Sequence, residues 1–433
     1  MRDYLPNDTR RRRQLQRTIE AVFELYGFEP LETPAAERIE TLLGKYGEEG
    51  DQLLFRILKR GEGAELGQCD MGLRYDLTVP LARVVALHQA KLALPFKRYQ
   101  IQPVWRADRP QKGRFREFVQ CDVDIVGTSS LAADAELVAV AHAALVSLGL
   151  ADYTLGVNHR GALAALVSRF GAPPEAESSV LVALDKLDKV GPAGVEAELE
   201  QRGLTAEVRG NAAQFMAAFA AEPSRGLELL AEWVAGHEGG DRALSDLREL
   251  AQHIHSYDIP AGRWRIDPLL ARGLSYYTGP VFEATLPGFS GSVLGGGRYD
   301  GLVGMFLGKS IPATGLSLGF ERLCVILEER QALVASASSA DVAVLPIEPS
   351  DRRHATQVAQ QLRREGLRVW LPSDDAKPGK HLKAAVSRGI PLAVLLGAAE
   401  QERATAQVKH LSLQEQAELP QSDIAAWVKQ RLA

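Results

Sequence analysis

Polar and apolar positions alternate most cleanly between Phe115 and Val126. Val119, Cys121, Val123 and Ile125 interleave with Phe118, Gln120, Asp122 and Asp124. A strand sends successive side chains to opposite faces, so the first set predicts a core-facing side and the second, with Arg116, a polar one. Lys97–Trp105 reads as a second strand, and the basic loop between the two holds one proline and one glycine. Phe96–Gly127 is therefore expected to be a hairpin. A solvated outer face would also be polar, but Arg106, Arg109, Lys112, Arg114 and Arg116 crowd one hairpin, with acids on the strand beyond. That arrangement suits a site holding a polyanion at one end and a small cation-bearing ligand at the other.

The rest of the chain supplies further elements. Leu15, Ile19, Val22, Phe23 and Tyr26 recur at helical spacing after Asn7-Asp8-Thr9, and Gly27 ends that helix. Arg10 to Arg13 in its first turn read as a solvated helix end, with a phosphate contact as the alternative. Phe28–Thr33 is a short expected strand, and Gly61–Gly72 a flexible glycine-rich connection. Asp76 and Thr78 share a strand face by the two-residue rule, a pair suited to an amine, and the pattern turns helical from Val79. Leu131–Leu148 is an expected amphipathic helix closed by Gly149, followed by a strand at 151–157. From Ser168 to His255 the chain is rich in Ala, Leu and Glu with helical period. His253 and His255 alternate within that region, but no third ligand lies nearby and no metal site is expected.

Strand-like patterning returns at Trp264 and again at Pro280–Leu286. Gly295-Gly296-Gly297 lacks the spacing of a dinucleotide fingerprint. It is read instead as letting a ligand or another backbone approach a strand closely. Thr314–Leu323 runs from a strand into a helix whose buried stripe is Phe320, Leu323, Ile326 and Leu327. Arg322 lies in the first turn, off that stripe. A cation there opposes the helix dipole, a cost that a bound anion would offset; a plain surface arginine is the other reading. Residues 332–340 look like a linker. Beyond it Val342–Ile347, Leu367–Leu371 and Leu392–Leu396 read as strands, with helices at Arg353–Glu365 and Lys380–Arg388: an α/β domain. Lys377-Pro378-Gly379-Lys380 lacks the spacing of a P-loop.

Composition narrows the function classes. At 433 residues about three domains are expected, and 46% hydrophobic residues are ample for their cores. The net charge of −5 excludes a globally basic nucleic-acid binder, so any such contact must be local. Cys69, Cys121 and Cys324 form no C-x-x-C pair, which argues against a thiolate zinc site or a disulfide framework; Cys121 and Cys324 sit on apolar faces and should be buried. The first residues lack the apolar region of a signal peptide, and no run approaches about 18 apolar residues. A cytoplasmic protein without a membrane span is expected.

RADRPQKGRFREFVQCDVDIVG, RGLSYYTGPVFEA, GGGRYDGLVG and GLSLGFERL together resemble the histidyl-tRNA synthetases, class II aminoacyl-tRNA synthetases. LRYDLTVPLARVVA and the RDYLP start fit as well, and the likeness runs end to end. It implies an α+β fold: a class II antiparallel-sheet catalytic core in two parts (1–167 and 259–331) around a helical insertion (168–258). A linker (332–340) and a C-terminal α/β anticodon-binding domain (341–433) would follow. It further implies a homodimer, with L-histidine, ATP and a histidine-specific tRNA as substrates and Mg2+ carried with ATP. Histidine and ATP would give histidyl-adenylate and pyrophosphate, and the histidyl group would then pass to the 3′ end of the tRNA.

Carried over by position, Arg106 resembles the motif 2 arginine on the α-phosphate and the amino-acid carboxylate. Asp108 falls near ATP, Phe118 stacks on adenine, and Arg322 is similar to the motif 3 arginine on the distal phosphates. Asp76, Thr78, Gln120 and Asp124 match positions that hold the histidine amino group and imidazole, with Tyr276 and Tyr277 lining the pocket. Arg272 resembles the arginine that stands in for a catalytic metal at the α-phosphate, giving Arg106, Arg272 and Arg322 as the catalytic set. Gln111 and Arg116 resemble loop residues that meet the tRNA acceptor end. The chemistry agrees: a carboxylate attacking a phosphate builds negative charge, which positioned arginines stabilise without a side-chain nucleophile. Ser275 departs from the family, which usually has Asp there. The departure leaves one alternative, a non-aminoacylating paralogue acting as the regulatory subunit of ATP phosphoribosyltransferase.

Overall fold

The computed structural model describes residues 1–433 except 46, 110–114, 272–275, 332–337, 339, 414 and 433. The chain forms two compact units, Met1–Leu333 and Val334–Ala433. In the first, the strands in chain order are β1 (Glu29–Pro30), β2 (Ala36–Arg38), β3 (Arg56–Leu58), β4 (Cys69–Leu73), β5 (Phe96–Trp105) and β6 (Glu117–Val126). They continue as β7 (Thr154–His159), β8 (Trp264–Ile266), β9 (Pro280–Thr285), β10 (Ser292–Arg298) and β11 (Ala313–Leu318). Eight form one sheet in the order β1-β5-β6-β11-β10-β9-β7-β8, and β2-β4-β3 make a small separate sheet. From β5 to β7 every pairing is antiparallel, while β1 and β8 join the two edges in parallel.

The alternation in β6 decides which face is which. Cys121, Val123 and Ile125 are fully buried against the helices Pro6–Leu25 and Leu131–Ser147, through Ile19, Phe23, Leu137 and Val138. Burial of this kind stabilises by roughly 25 cal/mol per Å² of apolar surface, so the register of β6 is strongly held. Its polar residues consequently face the other way. The register pairs Arg98 with Asp124, Gln100 with Asp122 and Gln102 with Gln120, which gives β5 and β6 a shared polar face.

The structure departs from the sequence pattern in several places. Gly61–Gly72 holds the short helix Glu62–Glu65 and most of β4 rather than a flexible connection. Asp76 and Thr78 do not share a strand: Thr78 opens the helix Thr78–His88, and Asp76 Oδ1 accepts from the Val79 N–H at 3.1 Å, capping its first turn. Pro80 fits there because an N–H in the first turn has no partner within the helix. The helix Leu131–Ser147 is buried nearly all round, down to Asp134, and is not amphipathic. The helices between Glu177 and His255 pack into the same core as Ile19 and Leu137, through Val180, Phe215, Leu230 and Leu247.

In the second unit, β12 (Val342–Pro346), β13 (Val369–Trp370) and β14 (Leu392–Leu396) are parallel. Two antiparallel strands that the periodicity did not reveal, β15 (Thr405–His410) and β16 (Gln416–Pro420), complete the order β13-β12-β14-β15-β16. The helix Arg352–Arg364 and the C-terminal helix from Ile424 share one core with this sheet, through Val358, Leu362, Ile424 and Val428.

Candidate active site

A cleft of about 340 Å³ opens over the polar face of β6, β10 and β11. β6 contributes Phe118, Gln120, Asp122 and Asp124 as its floor, and the hairpin adds Arg106, Asp108 and Phe115 at one end. Asp76 and Thr78 enter from the start of the helix Thr78–His88, Tyr276 and Tyr277 from the segment before β9, and Glu321 and Arg322 from the helix Phe320–Glu329. Positions more than two hundred residues apart thus meet in one cavity. Arg116 is exposed and outside the cleft; its Nε donates to the Asp108 carbonyl at 3.1 Å. Arg272, Gln111 and Ser275 lie outside the described residues.

At the hairpin end, Arg106 is held by its own neighbours. Its Nε donates to the Tyr75 carbonyl at 3.0 Å, and the guanidinium lies 4.3 Å from the Tyr75 ring centroid and 5.1 Å from that of Phe118. Arg322 Nη1 donates to the Ser292 carbonyl at 2.5 Å and to Ser292 Oγ at 3.3 Å, which ties the helix to β10. Two arginines fixed this way, with Phe118 between β6 and open space, suit a planar base and its phosphates.

The other end is acidic. Asp124 is buried, pairs with Arg98 at 2.8 Å and accepts from the Tyr299 hydroxyl. Burial raises its carboxyl above the usual range, opposed by Arg98 and Tyr299. Asp122 is also buried; desolvation and the Asp124 charge push it up to about 7 against the pull of Arg98 and a hydrogen bond from Ser317. Tyr277 and burial push the Tyr276 phenol well above its ordinary value, and the two rings lie 4.7 Å apart. Two carboxylates sharing one buried arginine make a pocket that favours a cationic guest.

Close approach requires glycine at two points. A Cβ at Gly315 would overlap Asp124 Oδ1, and one at Gly296 would overlap the Gly315 carbonyl. Gly296 therefore lets the β11 backbone approach at the pocket wall, one of the two roles its sequence pattern suggests. The sequence did not reveal Arg98, Tyr299, Ser317 or Glu321. A period-two signal for Arg98 was present, in Arg98, Gln100 and Gln102 alternating with Tyr99, Ile101 and Pro103.

Arg12 is not part of a solvated helix end. Its Nη2 and Nη1 donate to Glu321 Oε1 and Oε2 at 2.6 and 2.7 Å, joined by Tyr4 and Arg2 at 3.2 and 3.3 Å. The Val119 N–H also donates to Glu321, at 3.3 Å, so this carboxylate links the N-terminal segment, β6 and the helix that carries Arg322. Burial would raise Glu321, but the Arg12 bonds and charge outweigh it and hold it below the ordinary glutamate range.

An antiparallel sheet with arginines from a hairpin and from a helix behind the next strand, an acidic pocket and an appended α/β domain define a class II aminoacyl-tRNA synthetase. Comparison with known proteins narrows the class. The histidyl-tRNA synthetase family description matches residues 1–323, and that of an anticodon-binding domain matches residues 341–431. The chain is 37% identical over 449 residues to the histidine–tRNA ligase of Christiangramia forsetii, covering 99% of this chain and 98% of that protein. It is 42% identical over 407 residues to the histidine–tRNA ligase of Aeropyrum pernix, covering 93% and 90%. A crystal structure of histidyl-tRNA synthetase from Nostoc sp. PCC 7120 superposes with a TM-score of 0.85 at 32% identity, covering 99% of this chain and 97% of that one. The chain belongs to the histidyl-tRNA synthetase family, and it is an enzyme, a histidine–tRNA ligase. These end-to-end relatives leave the regulatory-subunit alternative the less supported reading.

Proposed function

We propose that the cleft is where this chain activates L-histidine with ATP, and that the side chains gathered there divide the work. The observation that carries the assignment is the convergence of Arg106, Phe118, Arg322, Gln120, Asp124 and Tyr276 on one cavity. Adenine stacks on Phe118 near Asp108, and Arg322 holds the distal phosphates. Arg106 aligns the α-phosphate with the histidine carboxylate. An oxygen of that carboxylate attacks the α-phosphorus, the bond to the β-phosphate breaks, and pyrophosphate leaves with the displaced charge. Arg272 shares with Arg106 the stabilisation of the charge that builds at the α-phosphate. Asp76, Thr78, Gln120, Asp124, Tyr276 and Tyr277 hold the ammonium and imidazole groups. Magnesium enters with ATP, held by its phosphates and water.

In the second step the 3′-terminal ribose hydroxyl of a histidine-specific tRNA attacks the adenylate carbonyl and AMP leaves. Gln111 and Arg116 meet the acceptor end, and residues 341–433 meet the anticodon. We assign 1–167 and 259–331 to the catalytic core, 168–258 to an insertion and 332–340 to a linker. The working form is a cytoplasmic homodimer; among the described residues no helix is long and apolar enough to cross a membrane. Histidine-dependent ATP–pyrophosphate exchange followed by charging of histidine tRNA tests the reading. Both should occur, and Arg272→Ala should abolish exchange while leaving the thermal melt unchanged. Histidine binding without exchange in the parent protein would favour the regulatory alternative instead.

A further inference from the structure

Asp122 lies in the cleft between Gln120 and Asp124 on the same face of β6, opposite Gln100 on β5 and Ser317 on β11. Gln120 Nε2 donates to both of its carboxylate oxygens, at 3.2 and 3.4 Å, and reaches Ser317 Oγ at 3.5 Å. A side-chain amide has one donor end and one acceptor end, so engaging Nε2 fixes where Oε1 points. Gln120 Oε1 is buried and, among the described residues, no donor meets it. A buried acceptor without a partner carries a desolvation cost unless a ligand supplies the donor. Histidine brings such donors in its ammonium and its imidazole N–H.

We infer that Asp122 is a positioning residue for histidine: it locks the Gln120 amide so that Oε1 faces the pocket as an acceptor for an N–H of the bound amino acid. The inference rests on the histidine-activating reading above and assigns it a residue with no direct role there. With Asp122 in place the amide cannot turn its NH2 inward without losing the carboxylate. A site of this kind rejects guests that present an acceptor at the same point, because two acceptors would then face each other unpaired.

The test is steady-state pyrophosphate exchange on the full chain, with KM for histidine, KM for ATP and kcat measured separately. Asp122→Ala removes the anchor of the amide. Its histidine KM should rise about tenfold, the scale of one hydrogen bond to a charged partner, with ATP KM unchanged and kcat within about threefold. Asp122→Asn keeps an acceptor for Nε2 and should restore histidine KM to within about threefold of the parent. An unchanged histidine KM in Asp122→Ala overturns the inference. So does an equal loss in both variants, since charge rather than amide orientation would then be the cause. If Asp122→Ala fails to fold, Ser317→Ala decides: a twofold to threefold rise in histidine KM alone supports the inference, and no change refutes it. Parent protein without exchange would count against the histidine reading itself; parent exchange with unaffected variants would count only against Asp122.

Discussion

Asp122 carries a pH dependence whose sign follows from its surroundings. Arg98 and Gln100 face it from β5, Gln120 and Asp124 from its own strand, Ser317 from β11 and Asp76 from the loop before the helix Thr78–His88. Arg98 is the cation among them, and Asp124 already pairs with it. With a folded pKa of about 7 against an ordinary 3.8, the native state binds the proton more tightly than the unfolded chain does. The stability this contributes is complete below about pH 4 and is lost as pH rises through about 7. Asp122→Asn cannot ionise and escapes that loss. In ligand-free protein, its melting temperature relative to the parent should therefore shift upward by several degrees between pH 5 and pH 8, read by calorimetry; a flat difference would contradict the shifted titration. Gly315→Ala acts on the neighbouring carboxylate. Its methyl would push Asp124 away from Arg98 and Tyr299, costing about 1–3 kcal/mol of stability. Histidine KM should rise at least as much as in Asp122→Ala, with ATP KM little altered.

At the scale of elements, the N-terminal segment is what joins the two arginine-bearing parts of the cleft. Arg2 stacks on Phe115 at the base of the hairpin loop, 4.2 Å from its ring centroid, and with Tyr4 and Arg12 converges on Glu321. Arg12→Ala should destabilise by about 2 kcal/mol, the scale of hydrogen bonds to a charged group, and raise KM for ATP through the neighbouring Arg322 while histidine KM stays near the parent value. Loss of stability with ATP KM untouched would make the pair purely structural. None of this was legible in the sequence, because Arg12 and Glu321 are 309 residues apart and no local period links them. What was legible had a period. β6 and the helix Phe320–Glu329 show their faces residue by residue, whereas β12 and β14 are legible as short continuous apolar runs buried along their length. The error at Asp76 and Thr78 came from the same source: two polar residues two apart before a proline look like a strand end. A capping aspartate with Pro80 in the first helical turn leaves the same trace. Tyr299, Ser317 and Gly315 were hidden for another reason. Ser317 and Gly315 stand beside Asp122 and Asp124 only through the register of β11 on β6, and Tyr299, just past β10, reaches Asp124 by its hydroxyl.

At the scale of the whole molecule, the two compact units each close a core of their own. Val342, Val358, Leu362, Val394, Val408, Ile424 and Val428 pack within the C-terminal unit, while among the described residues those lining the cleft belong to Met1–Leu333. On the function proposed above, activation of histidine uses only the cleft, whereas transfer uses tRNA held at two places. A fragment ending at Leu333 should therefore fold, and its pyrophosphate exchange should stay within a few-fold of the full chain. Charging should suffer far more. A second tethered contact raises apparent affinity by roughly two or more orders of magnitude through effective concentration, so kcat/KM for tRNA should fall by about a hundredfold while saturating tRNA recovers much of the rate. Parallel loss of exchange and charging would mean that the C-terminal unit supports the catalytic one directly. A fall in charging that saturating tRNA cannot restore would mean that it acts on the transfer step rather than on tRNA capture.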